Sequence, residues 1–273
     1  MVMLKHPSLP HARRLTSLDV FRGIAIAGML LVNNPGSRQH MHPFLRHAGW
    51  IGCNFADLVF PFFLFIVGVA AAFSLQDYSD GLQHMSRRIF FRIIRRSMLL
   101  FLLGILLNAF PKILLWLDYS VPLNFSETRI TGVLQRISIT YCCLAFAVFY
   151  IPRSILTAVS VLLLPLYWVF LAIVPVPGYG PGSMTPENNI AFYIDRLILS
   201  PEHMYSTKHV DPEGIFTTLP ALITVFIGYA AGKFLLTHPR TSGVSLRLAL
   251  FGFASLAIGY LWGLILPVCK DLW

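Results

Sequence analysis

Charge is scarce in this chain. Asp, Glu, Lys and Arg together make up 12% of its 273 residues, about half the ~25% of an ordinary soluble domain. So few ionic side chains do not suit a water-soluble enzyme. Cysteine is scarcer still: Cys53, Cys142, Cys143 and Cys269 form no C-x-x-C pair, which argues against a disulfide framework and a cysteine-held metal. No metal is expected. Strand-type alternation of polar and apolar residues is also lacking, which disfavours a β-barrel. No internal repeat is visible, which weakens a transporter built from inverted repeats.

What the chain has in abundance is apolar surface. Hydrophobic residues make up 56%, with 22 Phe, and the mean hydropathy is +0.69. The pattern predicts an all-α, polytopic helical membrane protein forming a single domain over 1–273. About seven spans fall near 18–34, 55–75, 93–110, 132–150, 155–174, 215–236 and 246–267. The N-terminus has the basic start of a signal peptide but no small-x-small cleavage site. Asp19 and Arg22 interrupt its apolar run, so it reads as a retained first helix, with these two residues paired at i, i+3.

The net charge of +9 would suggest nucleic acid in a soluble protein. Here the basic residues are dispersed among helix ends, so they read as topology signals and no nucleic-acid partner is expected. Lys5, Arg13, Arg14, Arg22, the five arginines of "RRIFFRIIRR" (87–96), Arg153, Lys233, Arg240 and Arg247 share one side if the N-terminus is cytoplasmic. The arginine-rich run has a second reading, as an electrostatic gate for a polyanion such as coenzyme A, beside attraction to anionic membrane lipid. The longest connection, about 175–214, then lies outside. It opens Pro/Gly-rich and continues as an amphipathic stretch. Ile194, Leu197 and Ile198 mark the face expected to pack over the membrane domain.

Polar residues concentrate where they are expensive. Asn33 ends the first span, His47 precedes the second, and Asp57 sits on the second helix's first turn, with Trp50 and Asn54 between. A hairpin would bring them to one membrane level. A histidine suits proton transfer near neutrality, Asp57 can orient its ring, and Asn33 can donate to an oxyanion. The plainer reading is an interfacial histidine with a helix-capping aspartate. "RITGVLQRISITY" (129–141) carries Arg129, Gln135 and Arg136. These residues face either a polar cavity or the interface by snorkelling. "VDPEG" (210–214) reads as a helix start, with Asp211 as cap and Pro212 at the first position. Alternatively, Asp211 and Glu213 attract a cationic sugar. Asp195 and Arg196 read as a local surface pair. "GYAAG" (228–232) and "GYLWG" (259–263) match small-xxx-small packing.

Taken together, "RLTSLDVFRGIAIAGMLLVN" (14–33), "RHAGWIGCNFADLVFPFFLFIVG" (46–68), "RITGVLQRISITY", "YIDRLIL" (193–199), "DPEGIFTTL" (211–219) and "GYAAGK" (228–233) resemble the heparan-α-glucosaminide N-acetyltransferase family, with its bacterial relatives of the NagX type. The resemblance implies transfer of acetyl from cytoplasmic acetyl-CoA, as co-substrate, to the amine of a glucosamine-type sugar across the membrane. It maps the essential histidine onto His47 and the active-site asparagine onto Asn33. In that frame His47 is the general base or the acetyl-accepting nucleophile, held by Asp57. Arg136, Arg129 and Gln135 bind coenzyme A or stabilise the cavity, and Asp211, Glu213, Trp50 and Asn54 meet the acceptor. It also implies a homodimer in a bacterial inner membrane. The chain stops at "LPVCKDLW" (266–273), where family members continue with further helices, so a C-terminally truncated or reduced version is expected. The competing readings are a permease for amino sugars or their N-acetyl forms, and a non-catalytic membrane scaffold.

Overall fold

The computed structural model describes residues 15–37, 39–76, 85–119, 122, 124–186, 188–205, 210–239 and 241–272. Lys5, Arg13, Arg14 and Arg240, invoked for orientation, lie outside the described residues. The helices are α1 (Thr16–Asn33), α2 (Phe55–Ser74), α3 (Arg87–Tyr119), α4 (Val133–Tyr150), α5 (Arg153–Ile173), α6 (Ile190–Leu199), α7 (Thr218–Thr237) and α8 (Ser242–Gly263). All but α6 are long and apolar enough to cross a membrane, so the chain is a polytopic helical membrane protein. Asp19 and Arg22 do pair on α1, at 3.5 Å.

Two elements depart from the sequence reading. The third span, expected at 93–110, is a 33-residue helix about 50 Å long, well beyond a hydrocarbon core of about 30 Å. Arginine is a good helix former, so the basic run belongs to the helix itself, with Arg87, Arg88, Arg92, Arg95 and Arg96 exposed along it. The sixth span begins at Thr218 rather than inside "VDPEG". There the Asp211 carboxylate accepts from the Glu213 N–H at 2.9 Å and the Asp211 carbonyl from the Gly214 N–H at 3.0 Å. This closes a separate turn before the helix.

The bundle is organised on α2 and α7, which cross with backbones nearly touching. A Cβ at Gly68 would lie 2.0 Å from the Val225 carbonyl oxygen, and one at Gly228 2.2 Å from that of Phe65. Small residues permit this approach. Around the crossing Leu64, Ala72, Leu144, Phe149 and Val225 form the main core. The second glycine motif behaves differently: a Cβ at Gly259 would meet nothing within 4 Å. Gly228→Ala therefore forces the helices apart and is expected to cost about 1–3 kcal/mol. This would read as a lower Tm in detergent, with Gly259→Ala beside it unchanged. Equal melting of the two variants would contradict this account of the seam.

Successive crossings bring the described residues of the segments 34–54, 124–132, 174–205, 210–217 and 264–272 to one end of the bundle. They interlock there. The Gly52 N–H donates to the Val268 carbonyl at 2.8 Å and the Ile130 N–H to that of His203 at 3.1 Å. Tyr167, Leu171, Phe192, Cys269 and Leu272 form a second core beneath them, with Trp50 against it. The expected buried face of α6 is corrected here. Ile194 does pack on this core, but Leu197 and Ile198 are exposed and the inward residues are Ile190, Ala191, Phe192, Asp195 and Leu199. The helix is rotated because Asp195 turns inward.

Candidate active site

Asp57 is the hub of the polar end. Its carboxylate, only 2% exposed, stands on the first turn of α2 and accepts from the N–H groups of Ala48 at 3.0 Å and Asn54 at 2.8 Å. The 46–54 segment is thereby folded back over the helix start. Its other oxygen lies 2.7 Å from Nδ1 of His47 and 3.5 Å from Nζ of Lys270. A carboxylate so placed keeps the proton on Nδ1 and leaves Nε2 as the basic nitrogen. The His47 side chain is 54% exposed and lines two cavities.

One cavity, of about 420 Å³, is bounded by His47, Asp57, Phe60, Pro61, Arg129, Arg136, Tyr205, Glu213, Lys270 and Asp271, among others. The other, of about 500 Å³, is bounded by Val32, Asn33, Pro35, Met41, Arg46, His47 and Tyr205. His47 and Tyr205 are common to both. Asn33, at the end of α1, thus shares a cavity with His47, as a hairpin between the first two spans requires.

Arg129 and Arg136 meet at the 211–217 loop from different directions. Arg129 precedes α4, so the two do not share a helix face. Arg129 grips Asp211 through both carboxylate oxygens and also bonds Glu213, while its guanidinium stacks over Tyr205 at 4.9 Å. Burial alone would lower its pKa, but the bonds to Asp211 and the Glu213 charge more than reverse this. The guanidinium stays charged. Arg136 is 5% exposed, which excludes snorkelling. It donates to the Pro212 carbonyl at 2.7 Å and to the Thr217 hydroxyl at 2.5 Å. Asp211 is fully occupied, since Thr131 also bonds it.

The remaining predicted residues, Trp50, Asn54 and Gln135, border neither of the two cavities at His47. Trp50 donates Nε1–H to the Met184 carbonyl at 2.6 Å and packs against Phe192. Asn54 donates its amide to the Arg46 carbonyl at 2.9 Å. Gln135 lines a separate small cavity of about 70 Å³ with Arg136, Thr131 and Glu213. Its amide sits against Gly104 and Gly132, where a Cβ would come within 2.4 Å and 2.9 Å. Sequence reasoning missed Tyr205, Lys270 and Asp271. A Lys-Asp pair after the last apolar run was the available signal.

Asp195 is no surface residue: it is 0% exposed. Oδ1 accepts from the Phe216 N–H at 2.8 Å, while Oδ2 has no partner among the described residues. Burial pushes its carboxyl up to about 6; the bond from Phe216 opposes this, and the nearby Asp211 charge adds to it. A carboxyl whose folded pKa is raised binds more protons in the folded state. Its ionisation therefore destabilises the fold as pH climbs from about 4 to about 6. Asp195→Asn is expected to flatten the fall in Tm across that range and to raise Tm at pH 7–8. An unchanged slope in a pH series of thermal melts would remove Asp195 as its source.

Seven apolar spans capped at one end by a histidine–carboxylate pair, where two cavities meet, define a polytopic membrane protein with a candidate acid–base site. A family model described as "Heparan-alpha-glucosaminide N-acetyltransferase, catalytic" matches residues 14–262, and the chain belongs to that family. It is 33% identical to human heparan-alpha-glucosaminide N-acetyltransferase over 95% of its own length and 45% of the human protein. It is 29% identical to the mouse protein of the same name, over 96% and 46%. The chain thus spans less than half the length of these relatives.

Proposed function

We propose that this chain is a membrane acetyltransferase. It moves the acetyl group of cytoplasmic acetyl-CoA to the amine of a glucosamine-type sugar on the opposite side of the membrane. The observation that carries the reading is the His47–Asp57 contact at 2.7 Å, at the junction of two cavities, in a chain of this family.

In the direct form, Nε2 of His47 accepts a proton from the acceptor nitrogen as that nitrogen bonds to the thioester carbonyl carbon. The C–S bond then breaks and the thiolate leaves with the proton from His47. In the two-step form, Nε2 itself attacks and the C–S bond breaks as the thiolate leaves; the amine then takes the acetyl group as the ring N–C bond breaks, and the freed Nε2 accepts the amine's proton. Asp57 serves both by fixing the tautomer. Asn33 holds the acetyl carbonyl or its oxyanion. Arg129 and Arg136, with Gln135 behind them, brace the wall facing coenzyme A; Trp50, Asn54, Asp211 and Glu213 shape the acceptor side. The basic bias of the helix ends supports a cytoplasmic N-terminus, and the membrane is read as a bacterial inner membrane. There the protein is surrounded by lipid and paired as a homodimer.

The test is conversion of glucosamine to its N-acetyl form by the purified protein in detergent with labelled acetyl-CoA. Product dependent on acetyl-CoA supports the reading. Sugar uptake into vesicles without coenzyme A, and no product, would replace it with a permease.

A further inference from the structure

Acetylating an ammonium group releases two protons from one nitrogen. The bound sugar begins as R–NH₃⁺ near neutrality and ends as an amide with a single N–H. One proton leaves with the thiol. The other needs a second acceptor, and His47 can carry only one at a time.

The carboxylates at the cavity differ in how they are engaged. Asp57 is held by two backbone N–H groups, His47 and Lys270. Glu213 is paired with Arg129. Asp271 lines the same cavity, and its carboxylate makes no hydrogen bond or ion pair with any of the described residues. Its backbone is nonetheless fixed. It lies in a turn closed by the Leu272 N–H donating to the Cys269 carbonyl at 3.1 Å. The flanking Cys269 and Leu272 are buried in the second core, and a backbone bridge from Cys269 to Gly52 ties this turn to the His47 segment. A rigidly mounted, unengaged carboxylate in a reaction cavity is placed for a cation. Burial pushes its carboxyl up; Lys270 and, more weakly, His47 oppose this, while Glu213 and Asp57 reinforce it, and the net direction is upward, a setting that favours accepting a proton.

We propose that Asp271 is the second proton acceptor of the reaction, receiving the sugar's ammonium group and taking its first proton. The inference rests on the acetyltransferase reading above. The N–H bond to Asp271 breaks first, giving R–NH₂ and a neutral carboxyl. The amine then attacks the thioester or acetyl-histidine, its second proton goes to His47 or with the thiol, and Asp271 returns its own proton to water.

The experiment compares Asp271→Asn and Asp271→Glu with the wild type on two acceptors, glucosamine and hydroxylamine, the latter neutral at pH 7. For Asp271→Asn, kcat/KM for glucosamine at pH 7 is expected to fall about tenfold, the factor by which ammonium exceeds free amine there, while hydroxylamine stays within about twofold. The glucosamine loss should shrink as pH rises and free amine accumulates, and Asp271→Glu should recover much of the rate. Equal loss on both acceptors, a pH-independent loss, or no loss overturns the proposal. Calorimetric titration reads the contact without turnover. Wild type should bind glucosamine more tightly than N-acetylglucosamine, and Asp271→Asn should bind them alike. That discrimination in a wild-type chain that transfers no acetyl supports the Asp271 contact while overturning the acetyltransferase reading. Its absence in the wild type overturns the Asp271 proposal alone.

Discussion

His47→Ala is expected to lower acetyl transfer at least about a thousandfold while leaving the fold intact. The two halves of that expectation have separate grounds. Nε2 of His47 is the basic nitrogen that the Asp57 contact leaves available where the two cavities meet. The ring itself is half exposed and, among the described residues, is bonded to Asp57 alone. Asp57 keeps its bonds from Ala48 and Asn54 and its pairing with Lys270 when the ring is gone, so no buried charge is orphaned. Transfer from labelled acetyl-CoA, measured beside Tm and the gel-filtration profile, separates the two. Full activity in a well-folded His47→Ala protein would end the proposed role. Trapping labelled histidine in an acid quench without acceptor would select the acetyl-histidine route over direct transfer.

The second large effect is structural. Asp211→Ala should destabilise the protein by about 3–5 kcal/mol. Asp211 is 0% exposed and its partner Arg129 only 20%. The Thr131 hydroxyl and the Glu213 N–H converge on the same carboxylate. Removing it strands a guanidinium held charged and two further donors away from water, and Glu213 neutralises only part of that charge. The cost lies mainly in the orphaned charge, so replacing both partners should restore much of the stability. Arg129→Met with Asp211→Leu is expected to recover well over half the lost Tm, yet remain poor in acetyl transfer because the cavity wall has lost the Arg129 cation. A double variant as unstable as Asp211→Ala would show that the pair supplies packing the apolar substitutes cannot.

The two substitutions mark what could be read along the chain and what could not. His47 and Asp57 are ten residues apart, bracket a helix start, and belong to one hairpin; local spacing was enough to propose their contact. Asn33 followed from the same hairpin. Arg129 with Asp211, separated by 82 positions, could not be matched by spacing. Arg136 was equally consistent with snorkelling until its burial against residues 212–217 was visible. "VDPEG" has the composition of a helix start, but Asp211 is drawn into the Arg129 clamp and caps only its own turn. Asp195 looked like half of a surface pair because Arg196 follows it. The adjacent side chain instead donates to the Phe192 carbonyl on its own helix.

The sequence by itself determined the membrane class, the seven spans, the family and the histidine, asparagine and aspartate at one polar end. These properties depend on hydrophobic length, on charge at helix ends and on residues close together in the chain. Only the tertiary structure decided that the 264–272 segment reaches back to the His47 loop and brings Lys270 and Asp271 into the cavity. It also decided that Gly228 but not Gly259 lies at a helix crossing, and that Asp195 is buried. Those facts follow from helices meeting across long stretches of chain. The energy of such contacts comes from burial and from pairing charges out of water, neither of which leaves a periodic mark in the order of residues.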